Sequence, residues 1–398
     1  MVVRLQNTIR DYAWGSRTAI PELTGAEPDG RPQAELWMGA HESAPSLLPS
    51  GDSLYDVVSA GPSDVLGSET AGRFEGRFPF LAKLLAAAQP LSIQAHPSRE
   101  QAIDGYARDE AAGIPRDAAD RNYKDPWPKP EILIALEPFD ALVGFRPLES
   151  TVALLEALAP VGFEELTELL RNGKLQDAFT QFMSSDRDSI RPLVAALEEA
   201  CARYAGEAFA LERETIERLC EDFPDDPGVL AALLLNRVRL ERFEAVYLPA
   251  GNVHAYLHGL GFEVMANSDN VLRGGLTSKH IDVPELVSVV DFEPLTDPVM
   301  TATPVSDGVT AYETGCEYFA IRRVDLVEDE RTVAGEGPRI VCCVEGTVRV
   351  HTGSDAALDA GGTEVGVTLS PGQSAFASGT EGVCTLRGSG TAFVVSAR

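Results

Sequence analysis

Two histidines, a glutamate and a glutamine occupy positions from which strand geometry would bring them around one divalent cation. In Ser92-Ile93-Gln94-Ala95-His96-Pro97 a strand sets residues two apart on the same face, so Gln94 and His96 converge and Pro97 ends the ladder. In Val246-Tyr247-Leu248-Pro249-Ala250-Gly251-Asn252-Val253-His254 a strand runs into a Pro-Gly turn and delivers His254 at the start of the next strand. That P-x-G-x-x-H pattern puts an imidazole at the mouth of a small β-barrel. Each histidine alone reads more simply as a hydrogen-bonded core residue; as a pair they read as ligands. Glu131 opens the apolar stretch Glu131-Ile132-Leu133-Ile134, and a carboxylate buried there needs a cation. Two imidazoles, a carboxylate and an amide suit Zn²⁺ with water or substrate completing the shell, while Mn²⁺ or Fe²⁺ could use the same donors.

These residues need strands to hold them, and the texture of the chain supplies them. From residue 1 to about 148 short apolar stretches are broken by Pro, Gly and Asp, which reads mostly as strands and turns. From 149 to 240 the spacing turns helical: Val152, Leu155, Leu158; Leu166, Leu169, Leu170; Ile190, Leu193, Val194, Leu197. The stretch VLAALLLNRVRL from Val229 predicts a largely buried helix. Strand texture returns near Glu244, and the tail from 301 is Thr- and Val-rich with Gly-rich turns. The expected architecture is mainly β with a helical insertion: two cupin-like jelly-roll barrels plus an α-helical cap. Its expected units are 1–148 with 241–300 as the catalytic barrel, 149–240 as the insertion, and 301–398 as a C-terminal barrel lacking metal ligands.

The chain has 398 residues, 44% apolar and 24% charged, as in an average folded protein. Its net charge of −28 disfavours a nucleic-acid or anionic-membrane partner. An anionic ligand would therefore need a local group of Lys and Arg. Six cysteines without a C-x-x-C pair read as buried free thiols in a reducing compartment. The charged N-terminal stretch lacks the apolar core of a signal peptide, so a cytoplasmic location is expected.

The sequence resembles the type I mannose-6-phosphate isomerases over most of its length. The likeness rests on RDYAWGS (10–16), AELWMGAHESAPS (34–46), FLAKLLAAAQPLSIQAHPS (80–98), NYKDPWPKPE (122–131), PAGNVHAY (249–256) and EVMANSDNVLRGGLTSKHID (263–282). It implies that Gln94, His96, Glu131 and His254 ligate one zinc per chain. It also implies that Lys129, Glu263, Arg273 and Lys279 line a sugar-phosphate site.

The implied reaction moves a proton between C2 and C1 of the sugar through an enediolate, so a base must stand near the metal without ligating it. Glu263, nine residues after His254, is the expected base, with Asp269 and Lys129 as alternatives; a structural ion pair is the competing reading of Glu263. The segment Arg273-Gly274-Gly275-Leu276-Thr277-Ser278-Lys279 supplies the local positive charge, its glycines allowing close backbone approach. Phosphate binding and proton transfer are shared among Arg273, Lys279, Lys129 and Ser92 in an order the sequence leaves open. Trp14 and Tyr256 are expected to line the pocket; His41, His258 and His280 read as structural. The expected ligand is a small sugar phosphate, and the expected state a monomer. A non-catalytic sugar-binding or regulatory cupin and another metal-cupin enzyme, an oxygenase or epimerase, are the competing classes; an iron oxygenase more often shows two His and one carboxylate without an amide.

Overall fold

The computed structural model describes residues 2–352 and 366–398. Two antiparallel sheets share one strand, His254–Ala266, and face each other across the interior that holds the candidate donors. In one, Thr8–Arg10, Glu35–Gly39, Phe80–Ala87, the C-terminal half of His254–Ala266, Glu131–Ala135 and Ala245–Leu248 lie in that order. In the other, Leu272–Arg273, Gln94–Ala95, the N-terminal half of His254–Ala266, Phe139–Phe145 and Leu235–Leu240 follow one another. The shared strand changes sheet at a bulge between Tyr256 and His258, next to Gly259 at φ 129°.

Alternation along these strands separates two faces. Leu85, Leu133, Val246, Leu248 and Val143 point into the space between the sheets and form one apolar cluster. Phe262, Val264, Leu84 and Ile132 point outward and pack on Phe393, Ile340 and Phe376 of a C-terminal sheet. That eight-stranded sheet comprises the tail strands together with Val2–Arg4 from the N-terminus, paired to Ser374–Ala377. Its other face closes a separate cluster around Val324, Val348 and Leu386.

Helices Leu148–Leu158, Glu164–Arg171, Leu175–Ser184, Arg187–Arg203, Ala210–Asp222 and Pro227–Leu233 cover the outer face of the second sheet, where Leu142, Ala255 and Leu257 join their core. The helical spacing holds: Leu155, Leu158, Leu166, Leu170, Ile190, Val194 and Leu197 are buried. The segment from Val229 departs from expectation. Its helix stops at Leu233, and Leu235–Leu240 is a strand pairing with Phe139–Phe145 and fixed by Arg237 to Asp140 at 2.6 Å. An unbroken apolar run carries no period that would separate helix from strand.

The first 148 residues also hold helices that strand-and-turn texture hid, the longest being Arg99–Ala111. Ser98 starts it with a reciprocal capping box to Gln101, but only Ala102 and Gly105 are buried along it, so it has no apolar stripe to read. All six cysteines are buried and unbridged. Among the described residues no helix is long and apolar enough to cross a membrane.

Candidate metal centre

His96, Glu131 and His254 come together with their ligand atoms within 4.8 Å of one another, all three buried. Glu131 Oε2 lies 3.4 Å from His96 Nε2 and 3.3 Å from His254 Nε2. The far nitrogen of each ring faces a main-chain carbonyl, His96 Nδ1 to Asn270 O at 2.7 Å and His254 Nδ1 to Asn252 O at 3.1 Å. Those acceptors assign the ring proton to Nδ1 and leave a lone pair on each Nε2. Neither Nε2 has a hydrogen-bond partner among the described residues. Three electron-pair donors thus face one point with no proton between them, an arrangement that repels itself unless a cation sits there. The residues fit a divalent metal, and the carbonyls that orient the rings are the outer-shell partners such a site needs.

Register sets Gln94 beside His254. It pairs directly with His254 on one side and with Arg273 on the other, so the three side chains share a face in adjacent strands. Lys129 Nζ lies 2.8 Å from Glu131 Oε1. Although burial alone would raise it, the Lys129 ammonium holds the Glu131 carboxyl well below its usual range. Burial, helped by Lys129, pushes His96 down to about 4, so this ring stays neutral at pH 7 and able to ligate.

A second charged group lies on the same inner face. One row across the first sheet reads Thr8, Trp37, Lys83, Glu263, Leu133, Val246. Lys83 Nζ stands 3.0 Å from Glu263 Oε2 and 3.3 Å from Glu35 Oε1, and Trp37 Nε1 donates to Glu35 Oε2 at 2.8 Å. Burial would lower Lys83, but Glu263 and Glu35 reverse this and raise it, keeping it an ammonium. Burial raises Glu263 against the pull of Lys83. Burial and Glu263 push the buried Tyr256 phenol up, and its hydroxyl has no hydrogen-bond partner among the described residues.

The remaining expected residues lie outside this buried group. Asp269 is 44% exposed and pairs with His41 Nε2 at 3.2 Å; burial opposes, but the bond from His41 brings its carboxyl down to about 2, a weak base. Beside these two opens a cavity of about 490 Å³ whose lining contains none of the three donors. Trp14 is half-buried and stacks on Tyr12. Ser92 is half-buried just before Ile93, and Lys279 is exposed on its loop. Burial lowers Arg273, and lowers Lys279 with help from Arg273; neither has a carboxylate partner among the described residues. His258 projects to solvent at the bulge, and His280 is exposed.

The expected close approach of Gly274 and Gly275 takes a different form. A Cβ on Gly275 would lie 2.4 Å from Gly228 Cα, and one on Gly274 3.3 Å from Ile93 and Leu286, so both glycines serve packing within the protein.

Sequence reasoning missed Lys83, Glu35 and Asn270. The first two carry a signal, a lone charge inside the otherwise apolar strands Phe80–Ala87 and Glu35–Gly39, the same signal that singled out Glu131. Asn270 carries none. Fully buried, it bonds the loop at 124–127 through both ends of its amide while its carbonyl takes the His96 ring.

Comparison with known proteins bears on this arrangement. Residues 2–148 match the model of the type I phosphomannose isomerase catalytic domain, and residues 162–235 that family's helical insertion domain. A mannose-6-phosphate isomerase of Escherichia coli (strain K12) is 41% identical over 396 residues, covering 97% of each chain. One from Homo sapiens is 31% identical, covering 88% of this chain and 89% of its own. A crystal structure of mannose 6-phosphate isomerase bound with zinc and yttrium superposes with TM-score 0.89 at 38% identity, covering 100% of this chain and 99% of its own. A zinc-bound holo form gives the same TM-score and identity.

Proposed function

Since the chain belongs to the type I phosphomannose isomerase family, we propose that it interconverts mannose 6-phosphate and fructose 6-phosphate with one zinc ion held by His96, Glu131, His254 and Gln94. The observation that carries this is the pair of buried Nε2 lone pairs aimed at one Glu131 oxygen. When bound, the ion supplies Lewis-acid polarisation of the substrate oxygens between which the carbonyl moves.

The side chains divide the remaining work. Glu263 takes the proton from C2 and returns it to C1; a carboxyl raised above its usual value is a stronger base at neutral pH. Lys83 fixes the orientation of that carboxylate through its 3.0 Å contact. Lys129 holds Glu131 charged and placed, and the Tyr256 ring lies 5.9 Å from that of His254. Arg273 and Lys279, both without a carboxylate partner among the described residues, hold the phosphate, with Ser92 and Trp14 at the edge of the sugar. Asp269, tied to His41 and brought down to about 2, serves the rim and not proton transfer.

The same reading takes the two sheets sharing His254–Ala266 as a cupin-like jelly roll, the helical segment as its cap, and the C-terminal sheet as a second such barrel. Its units are 1–148 with 241–300, 149–240, and 301–398. It has the protein acting as a cytoplasmic monomer on a small sugar phosphate, with neither nucleic acid nor membrane as a partner, in keeping with a net charge of −28.

The test is to supply mannose 6-phosphate to purified protein and follow fructose 6-phosphate before and after chelation. Turnover abolished by chelation and restored by zinc is expected; turnover that ignores chelation, or none in metal-replete protein, would overturn the assignment. His254→Ala should lose metal, as read by mass spectrometry, whereas Arg273→Ala should keep it and show a KM raised by about tenfold or more.

A further inference from the structure

Resting on the assignment of Arg273 and Lys279 to phosphate, we propose that Asp226, in the helical segment, is a positioning residue for that grip. It holds the loop at 274–279 by its main chain and so leaves both cations free for a phosphate ester.

Asp226 is 6% exposed, and among the described residues no lysine or arginine pairs with it. Its oxygens take main-chain donors: Oδ1 accepts from Gly228 N at 2.7 Å and Leu276 N at 2.8 Å, and Oδ2 from Thr277 N at 3.2 Å. A buried carboxylate is tolerable when several N–H groups satisfy it. Here two of the three come from the loop between Arg273 and Lys279.

The loop is held on both sides. Gly275, at φ 112°, lies against Gly228 too closely for any side chain at either position. On the opposite side Gly274 N donates to Ile93 O at 2.7 Å and Ile93 N to Gly275 O at 3.1 Å. Ile93 immediately precedes Gln94, and Gln94 pairs with Arg273, so the loop is registered against the strand that leads to the metal donors. Thr277 passes the constraint on, its Oγ1 accepting from Lys279 N at 3.1 Å.

The direction of the negative charge is what matters. An aspartate placed to pair with Arg273 or Lys279 would fix the loop equally well and neutralise the grip. In a chain of net charge −28, two basic residues without carboxylate partners among the described residues, beside a candidate anion site, need another anchor, and Asp226 provides it through the N–H groups of Leu276 and Thr277.

Asp226→Asn keeps Oδ1 as an acceptor but turns an NH₂ toward Thr277 N, donor against donor. Thr277→Val removes only the acceptor that fixes Lys279 N. Both are measured as full-length, metal-loaded enzyme for kcat, KM for mannose 6-phosphate, competitive inhibition by inorganic phosphate, metal content and melting temperature. For Asp226→Asn we expect KM and the phosphate inhibition constant to rise together by about tenfold, the loss of one bond to a charged group, with kcat within about twofold and metal unchanged. For Thr277→Val the parallel rise is about threefold. A purely structural role would lower the melting temperature without moving phosphate affinity. Unchanged KM and phosphate inhibition in both variants, while Arg273→Ala raises both, would overturn the role of Asp226. If Arg273→Ala itself leaves them unchanged, the phosphate assignment fails instead. Should Asp226→Asn not fold, Thr277→Val decides by the same two constants.

Discussion

Lys83 shows how one buried side chain can govern two others. Its ammonium neutralises Glu35 and Glu263 at once, with all three side chains at most 8% exposed. Replacing it with methionine would leave two buried carboxylates facing each other, a loss of about 3–5 kcal/mol by comparison with other broken buried pairs. The cost should depend on pH. Burial already raises the folded Glu263 carboxyl above its ordinary value of 4.5, so above that pH the native state keeps a proton the unfolded chain has released. Stability from this group is present at low pH and fades as pH rises through the raised value. Without Lys83 the carboxyl is pushed further up. The melting deficit of chelated Lys83→Met should therefore widen as pH rises above the ordinary carboxylate value, and Glu263→Gln in the same background should remove most of that widening. A pH-independent deficit would mean that Lys83 is not what neutralises Glu263. A charge inside an apolar strand is visible in the sequence, as Glu131 was; its partners are not, because Glu35, Lys83 and Glu263 meet across three strands separated by long stretches of chain.

The strand His254–Ala266 is the element on which the site depends, since it carries His254 and Tyr256 in one sheet and Glu263 in the other. The change of sheet falls at Gly259, where φ is 129° and an added Cβ would meet Phe139 Cδ2 at 2.7 Å and Pro138 O at 2.8 Å. Gly259→Ala should cost about 1–3 kcal/mol for the backbone conformation alone, and should loosen zinc by moving His254 relative to Glu131. A chelator competition with a fluorescent zinc indicator measures this; weaker zinc together with a lower melting temperature is expected, and unaltered zinc affinity would show that the bend does not set the distance between the two donors. Strand alternation made His96 legible, the charge at the head of an apolar strand did so for Glu131, and the Pro-Gly turn for His254. The bend itself had no signature beyond one more glycine in an apolar run. Leu235–Leu240 was misread for a related reason: its partner, Phe139–Phe145, is distant in sequence, and only that pairing turns the chain from helix to strand after Leu233.

At the scale of the whole molecule, the two sheets that enclose the metal residues are covered on their outer faces by different neighbours. The helical segment covers one and the C-terminal sheet the other. Asp226, which accepts from Leu276 N and Thr277 N, belongs to the first cover. The second meets the sheet that carries Glu263 through apolar side chains, with Phe393 stacked on Phe262 at 4.7 Å and 10° and edge-on to Phe243 at 6.3 Å. The side chain of Phe262 lies on the opposite face of its strand from Glu263, so a cavity made there faces away from Glu263 and Lys83. Phe393→Ala should thus cost about 3–5 kcal/mol as a large-to-small change in a buried cluster, seen as a lower melting temperature, while KM and metal content stay within about twofold of the parent at temperatures where the protein is folded. A raised KM or lost metal without a matching fall in melting temperature would make the C-terminal sheet a participant in the site, acting through the Phe262–Glu263 strand, where its packing argues only for support.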